Sequence, residues 1–186
     1  MGKVILDVTI SLDGFAEDSS GGVGALYPDL EILDTTEVQK ELIRNTGAVV
    51  MAWKEFVMAD DPDLYAENYK FQVPIFVVGD RVPPKHPKET GELMFTFVAD
   101  GIESAIKQAK AAAGGKDVLI IGSASTTLQC LKTGLVDELY LDIVPIFLNE
   151  GFRPFEDIKD VSIQLERTKV VELPAGRIYT EFRLNT

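Results

Sequence analysis

The stretch DVLIIGSASTTLQCL, Asp117 to Leu131, decides how the rest of the chain is read. Val118 to Ile121 have the composition of a buried strand, and after Gly122-Ser123-Ala124-Ser125-Thr126 a helical pattern begins. A strand fed through small residues into a helix leaves backbone N–H groups pointing outward, with the positive end of the helix dipole behind them. Such a turn can hold an anion, or it can simply let strand and helix pack closely. Cys130, the only cysteine, shares the helix with Leu128 and Leu131 and reads as a core residue. No intrachain disulfide can form, and a reduced, cytoplasmic setting is expected.

Outward from this unit, strands and helices alternate. Toward the N-terminus, Lys3 to Ile10 is a first strand that ends in Ser11-Leu12-Asp13-Gly14-Phe15. The polar, Gly- and Ser-rich segment Gly14 to Asp29 reads as a mobile lid. Leu30 to Asn45 has the spacing of one helix, stopped at Gly47; Ala48 to Met51 is a second strand and Trp53 to Met58 opens a short helix. Asp60 to Asn68 is an acidic loop, Val73 to Val78 a third strand and Phe95 to Val98 a fourth. Asp100-Gly101-Ile102-Glu103 has the form of a capping box, with Asp100 as N-cap, before an alanine-rich helix ending at Gly114-Gly115. On the C-terminal side, Glu138 to Val144 returns to strand, and Ile163 to Val171 and Arg177 to Leu184 are strands joined through Leu173-Pro174-Ala175-Gly176. The pattern predicts one α/β domain over residues 1–186, a mostly parallel sheet covered on both faces with an antiparallel end. Ligands of such sheets sit beyond the C-terminal strand ends, which selects Ser11 to Gly14, Ala52 to Glu55, Gly79 to Arg81 and Gly122 to Thr126.

Of the 186 residues 46% are hydrophobic, enough for a sizeable core, and the formal net charge is −12. That charge repels nucleic acid and anionic membranes, so a small-molecule ligand is expected. No window approaches a membrane span and no leader pattern stands at the N-terminus, so a soluble, unprocessed chain is expected. The only histidine, His86, lies in Pro84-Lys85-His86-Pro87, a poor start for a zinc site or a Ser-His-Asp arrangement. Asp60-Asp61-Pro62-Asp63 reads as a solvated acidic loop, and no metal is predicted. Asp13, at the end of a core strand, is either a turn former with Gly14 or a partly desolvated carboxylate that stays protonated near neutral pH.

Taken together, SLDGF (11–15), Gly47-Ala48-Val49-Val50-Met51, VPIFVV (73–78), the Gly122 turn and GLVDELYLDIVPIFL (134–148) resemble the dihydrofolate reductase superfamily, in the branch related to the riboflavin-biosynthesis reductase domain. The resemblance runs from Lys3 to about Phe155. It implies a sheet of about eight or nine strands with flanking helices, a homodimer, and a reductase of a pterin- or pyrimidine-like heterocycle that takes hydride from NADPH or NADH. By that resemblance Gly122, Ser123, Ala124, Ser125 and Thr126 cradle the cofactor's diphosphate, and Ala52, Trp53, Lys54, Gly79, Asp80 and Arg81 complete its site. Asp13 protonates or orients the substrate and Ser11 assists. For the dimer, Val136, Leu139, Leu141, Ile143, Val144, Ile146, Phe147 and Leu148 form an apolar region too extensive for one strand face. No deaminase domain of the kind fused to riboflavin reductases is seen in these residues.

The chain departs from the family pattern in four places. Ala52-Trp53-Lys54-Glu55-Phe56 stands where Gly-Arg-Arg/Lys-Thr and an aromatic are usual, Ser123 replaces the second glycine of the cofactor turn, Gly79-Asp80 replaces small or hydroxyl residues, and Leu148-Asn149-Glu150-Gly151 replaces Leu-Gly-Glu/Gly-Gly. Arginine grips phosphate bidentately, whereas Trp53 offers an indole donor and a face that can stack on adenine or a flavin. Asp80 repels a 2′-phosphate and Arg81 offsets part of that charge. A second reading is therefore a dimeric ligand-binding or interaction protein that has lost turnover.

Overall fold

The computed structural model describes residues 2–156, 158 and 163–185. Eight strands form one sheet: β1 (Val4–Ser11), β2 (Thr46–Ala52), β3 (Ile75–Val78), β4 (Phe95–Val98), β5 (Asp117–Ile121), β6 (Glu138–Val144), β7 (Gln164–Glu172) and β8 (Ile178–Asn185). Their order is β4-β3-β2-β5-β1-β6-β8-β7. The β2–β3, β3–β4, β2–β5 and β1–β6 ladders are parallel, and β8 is antiparallel to both β6 and β7. The predicted mostly parallel sheet with an antiparallel C-terminal end is what forms. Thr46 to Met51 are all buried, which is why β2 reads as an uninterrupted apolar run rather than an alternation. β7, at the edge, has no fully buried residue.

The chain divides into two compact units, Met1–Val4 with Ile43–Ile121, and Ile5–Leu42 with Gly122–Thr186. In the first, α5 (Ile102–Ala112) buries Ala105, Ile106 and Ala109. Two alanines on that face let the helix approach β2 and β3 closely. Phe56 stands among Tyr65, Phe95 and Phe97, with ring centroids 5.4 to 6.0 Å apart.

In the second unit the organising residue is Arg177, 0% exposed. Its Nε donates to both oxygens of Asp29 at 3.0 Å, one terminal nitrogen donates to Asp142 at 2.6 Å, and the other donates to Asp29 at 2.6 Å and to the Leu26 carbonyl at 2.5 Å. Leu26 to Asp29 is thereby tied to β6 and β8. The second half of the predicted lid is thus held in place, and the first half contains an Asp18 turn whose carboxylate accepts from the Ser20 and Gly22 amides.

Several local expectations change for identifiable reasons. The Leu30 to Asn45 helix is two, α1 (Leu30–Leu33) and α2 (Glu37–Asn45). Between them the Thr35 and Thr36 hydroxyls donate to the Ile32 and Leu33 carbonyls, and Thr36 accepts from the Gln39 amide, capping the second helix. After α3 (Trp53–Phe56), the acidic loop contains α4 (Leu64–Asn68), on which Tyr65 is buried. The Asp100 capping box does not form: the N-cap of α5 is Gly101, with φ 91°, and Glu103 pairs with Lys107 at 2.6 Å. Before α6 (Thr127–Lys132) no side-chain cap forms, and its Cys130 is fully buried, the thiol pushed up to about 12 by burial.

Candidate functional site

In the Ile5–Leu42/Gly122–Thr186 unit, β1 ends by turning its last side chain inward. Ser11 is fully buried; its hydroxyl donates to Asp13 Oδ1 at 2.6 Å and accepts from the Phe15 amide at 3.0 Å. Asp13 also accepts from the Leu148 amide (Oδ1, 3.1 Å) and the Asn149 amide (Oδ2, 2.8 Å). Asn149 has φ 66°, so the carboxylate holds a left-handed turn that few residues adopt unaided. The Ser11 hydroxyl is the largest influence on the Asp13 pKa and lowers it; burial, next in size, opposes it, and the Asn149 and Leu148 amides add to the lowering, which prevails. Sequence position left Asp13 open as a turn former or as a protonated carboxylate; three donors converge on its carboxylate, an arrangement that favours the charged form.

The Gly122 turn is also engaged. The Gly122 amide donates to the Asp7 carbonyl, and a Cβ at 122 would stand 2.6 Å from Val8 Cγ2 and 2.7 Å from the Asp7 carbonyl oxygen. Glycine is needed there for close packing on β1. Ser123 N donates to Thr126 Oγ1 at 3.0 Å, the Ser123 hydroxyl lies 3.2 Å from that of Ser125 and 3.0 Å from that of Thr126, and Thr127 N donates to the Ser123 carbonyl. Ala124 N donates to Glu17 Oε1 at 3.3 Å.

In the Met1–Val4/Ile43–Ile121 unit, the Ala52 amide donates to Glu55 Oε2 at 3.0 Å. Trp53 is half-buried and packs on Phe56 and Phe97, with centroids 5.5 and 6.3 Å away. Gly79 lies under it, where a Cβ would stand 3.0 Å from Trp53 Cβ. Lys54 is exposed, and Asp80 and Arg81 are exposed with 3.8 Å between carboxylate and Nε. Asp61 and Asp63 grip Lys85 at 3.0 and 2.6 Å, and no cluster among the described residues could hold a metal ion. His86 is exposed, its Nδ1 3.0 Å from the Pro87 carbonyl.

The predicted residues are thus brought together in local sets: Ser11 with Asp13, Ser123 with Ser125 and Thr126, and Trp53 with Gly79. Sequence reasoning missed the contacts of four carboxylates. Glu55, three residues after Ala52, has the spacing of a residue that reaches back to a helix start and was legible. Glu17, 107 residues from Ala124, and Asp29 and Asp142 on Arg177 carry no local signal.

The chain belongs to the RibD C-terminal domain family, whose model matches residues 2–179. It is 27% identical over 173 residues to "Uncharacterized protein YyaP" of Bacillus subtilis (strain 168), covering 90% of this chain and 88% of that one. Its fold is similar to the crystal structure of a "Putative riboflavin biosynthesis protein" from Shewanella sp. PV-4, with TM-score 0.74, 22% identity and 99% of each chain covered. The dihydrofolate reductase of Enterococcus faecalis, complexed with NADP(H) and RAB-propyl, shares the fold at TM-score 0.57 and 12% identity, with 100% of this chain and 98% of that one covered. Among the described residues no helix is long and apolar enough to cross a membrane.

Proposed function

We propose that this protein is a reductase of a small pterin- or pyrimidine-like heterocycle, using a nicotinamide dinucleotide, and that it works as a homodimer. The observation that carries the reading is the family match over 2–179, joined to a fold shared with a reductase complexed with NADP(H). Asp13, ionised, orients the substrate by accepting a hydrogen bond at its carboxylate, and Ser11 sets its direction. Protonation of the substrate by Asp13 is not part of the reading, since its donors favour the charged form. As folded, the Ser123–Thr126 turn does not fit a diphosphate, because a carboxylate stands on the Ala124 amide, so no hydride step is derived through it. The same contact, together with Glu55 on the Ala52 amide, favours the second reading of a ligand-binding protein without turnover.

A dialysed sample titrated with NADPH, NADH and flavin, followed through the fluorescence of Trp53, the only tryptophan, separates the two. The reductase reading expects saturable binding of a nicotinamide nucleotide, and binding of none would end it. NADPH is expected to gain nothing over NADH, because Trp53 and Asp80 leave no arginine clamp for a 2′-phosphate, a contact worth roughly 10- to 100-fold. A tenfold gain for NADPH only after Asp80→Ser would place Asp80 beside that phosphate. For the dimer, Phe147 is 66% exposed and Leu141, Ile143, Ile146 and Leu148 half-buried, while Val136, Leu139 and Val144 are spent in the chain's own core. Sedimentation at about twice 20.4 kDa is expected. A clean monomer would remove the homodimer.

A further inference from the structure

Glu17 is 2% exposed, an unusual place for a carboxylate in a chain of net charge −12. Its main chain is fixed: the Phe152 amide donates to the Glu17 carbonyl at 3.0 Å, and the Ala16 amide donates to the Phe152 carbonyl at 2.9 Å. Gly151 makes that approach possible, since a Cβ there would stand 2.0 Å from the Glu17 carbonyl oxygen, and its φ of 140° lies where side chains are disfavoured. The backbone of Glu17 is thus held on both sides. At the end of that side chain, Oε1 accepts from Ala124 N. The Gly122, Ser123 and Thr127 amides donate to neutral acceptors, a carbonyl, a hydroxyl and a carbonyl. Ala124 is the one of these four whose acceptor is a carboxylate.

We propose that Glu17 is the specificity-determining residue of this turn: its carboxylate is a built-in anion that holds the Ala124 amide against phosphate, so a phosphate-bearing nucleotide must expel it. This rests on the reading of the protein as a nicotinamide-dependent reductase and narrows it. Two anions cannot share one backbone N–H, and a diphosphate brought beside a retained carboxylate meets like charge as well as the loss of its donor. Ligands without phosphate at this turn are bound with Glu17 in place.

The test uses the full chain and Glu17→Ala and Glu17→Gln, titrated by calorimetry with inorganic pyrophosphate, NADPH and reduced nicotinamide riboside, which carries no phosphate. Removing the carboxylate is expected to tighten pyrophosphate and NADPH by about tenfold or more in Glu17→Ala. The gain is expected to be about threefold in Glu17→Gln, which loses the charge but keeps an acceptor. The riboside is expected to bind all three chains alike. Pyrophosphate affinities within about twofold across the three chains, or weaker binding by the variants, would overturn the proposal. Should Glu17→Ala not fold, the near-isosteric Glu17→Gln decides by the same criterion. Pyrophosphate gain with no riboside binding anywhere would end the reductase reading and leave the role of Glu17 standing; riboside binding with no pyrophosphate gain would do the reverse.

Discussion

Asp13 and Asp142 belong to the same unit, one just past the end of β1 and the other within β6, and they are opposites. Asp13 accepts from one hydroxyl and two backbone amides, and those donors draw its pKa below the usual value. Asp142 is buried; one oxygen takes a hydrogen bond from Arg177, while Oδ1 has no partner among the described residues. Burial, the largest influence, raises its pKa despite the guanidinium, and Asp29 adds to the rise. Sequence position left a turn former or a raised carboxylate open at Asp13; the raised carboxylate is found at Asp142 instead. Being at the end of a core strand does not decide whether a carboxylate keeps its proton; the count of donors reaching it, set against the water it has lost, does.

The largest expected effect comes from the residue that makes Asp142 tolerable. Arg177→Met leaves Asp29 and Asp142 buried without a counter-charge, a change that costs about 3–5 kcal/mol in comparable sites. For a chain of this size the thermal midpoint is expected to fall by roughly 10 °C, with faster amide exchange in 26–29. A shift under about 3 °C would mean that the guanidinium is not what holds Leu26 to Asp29.

Asp142→Asn should have a smaller effect and one that depends on pH. Because the folded pKa is raised, the contribution of Asp142 is fully present below the unfolded value and is lost as pH rises through the folded one. The asparagine variant carries no charge to lose, so its stability relative to the parent should improve as pH rises from the usual carboxylate value of 3.8 toward neutrality. If thermal midpoints of variant and parent run parallel over that range, the orphan oxygen carries no uncompensated charge.

The smallest effect on stability is expected at Asp13, half-exposed and screened by solvent. Its lowered pKa gives the opposite sign: the contribution is present above the usual value of 3.8 and fades as pH falls through the folded value. Asp13→Asn should leave the fold intact and raise amide exchange at Leu148 and Asn149, which lose a charged acceptor. Unchanged exchange at both would show that the turn stands without Asp13.

Regular elements were legible because their signals are local. Phe95 to Val98 and Glu138 to Val144 are strands with the bounds that their composition predicts, and the antiparallel end follows from two β-rich segments around Pro174. The helix break at Thr35-Thr36 was hidden because the apolar spacing runs across it and only the hydroxyl bonds reveal it. Asp100 lost its capping role to Gly101, whose φ of 91° no other residue adopts readily. At the candidate site, Ser11, Asp13 and the Gly122 turn could be located by their place after strands. Their chemistry could not, since it depends on Leu148, Asn149 and Glu17, brought in from segments far along the chain.

The most direct measurement is a carbon-13 NMR titration of the aspartate carboxylates in the folded chain, assigned through Asp13→Asn and Asp142→Asn. Asp13 should titrate below 3.8 and Asp142 above it, in the same sample. An Asp13 that keeps its proton into the neutral range would contradict the account, restoring it as an acid for the reaction and removing the distinction between the two carboxylates.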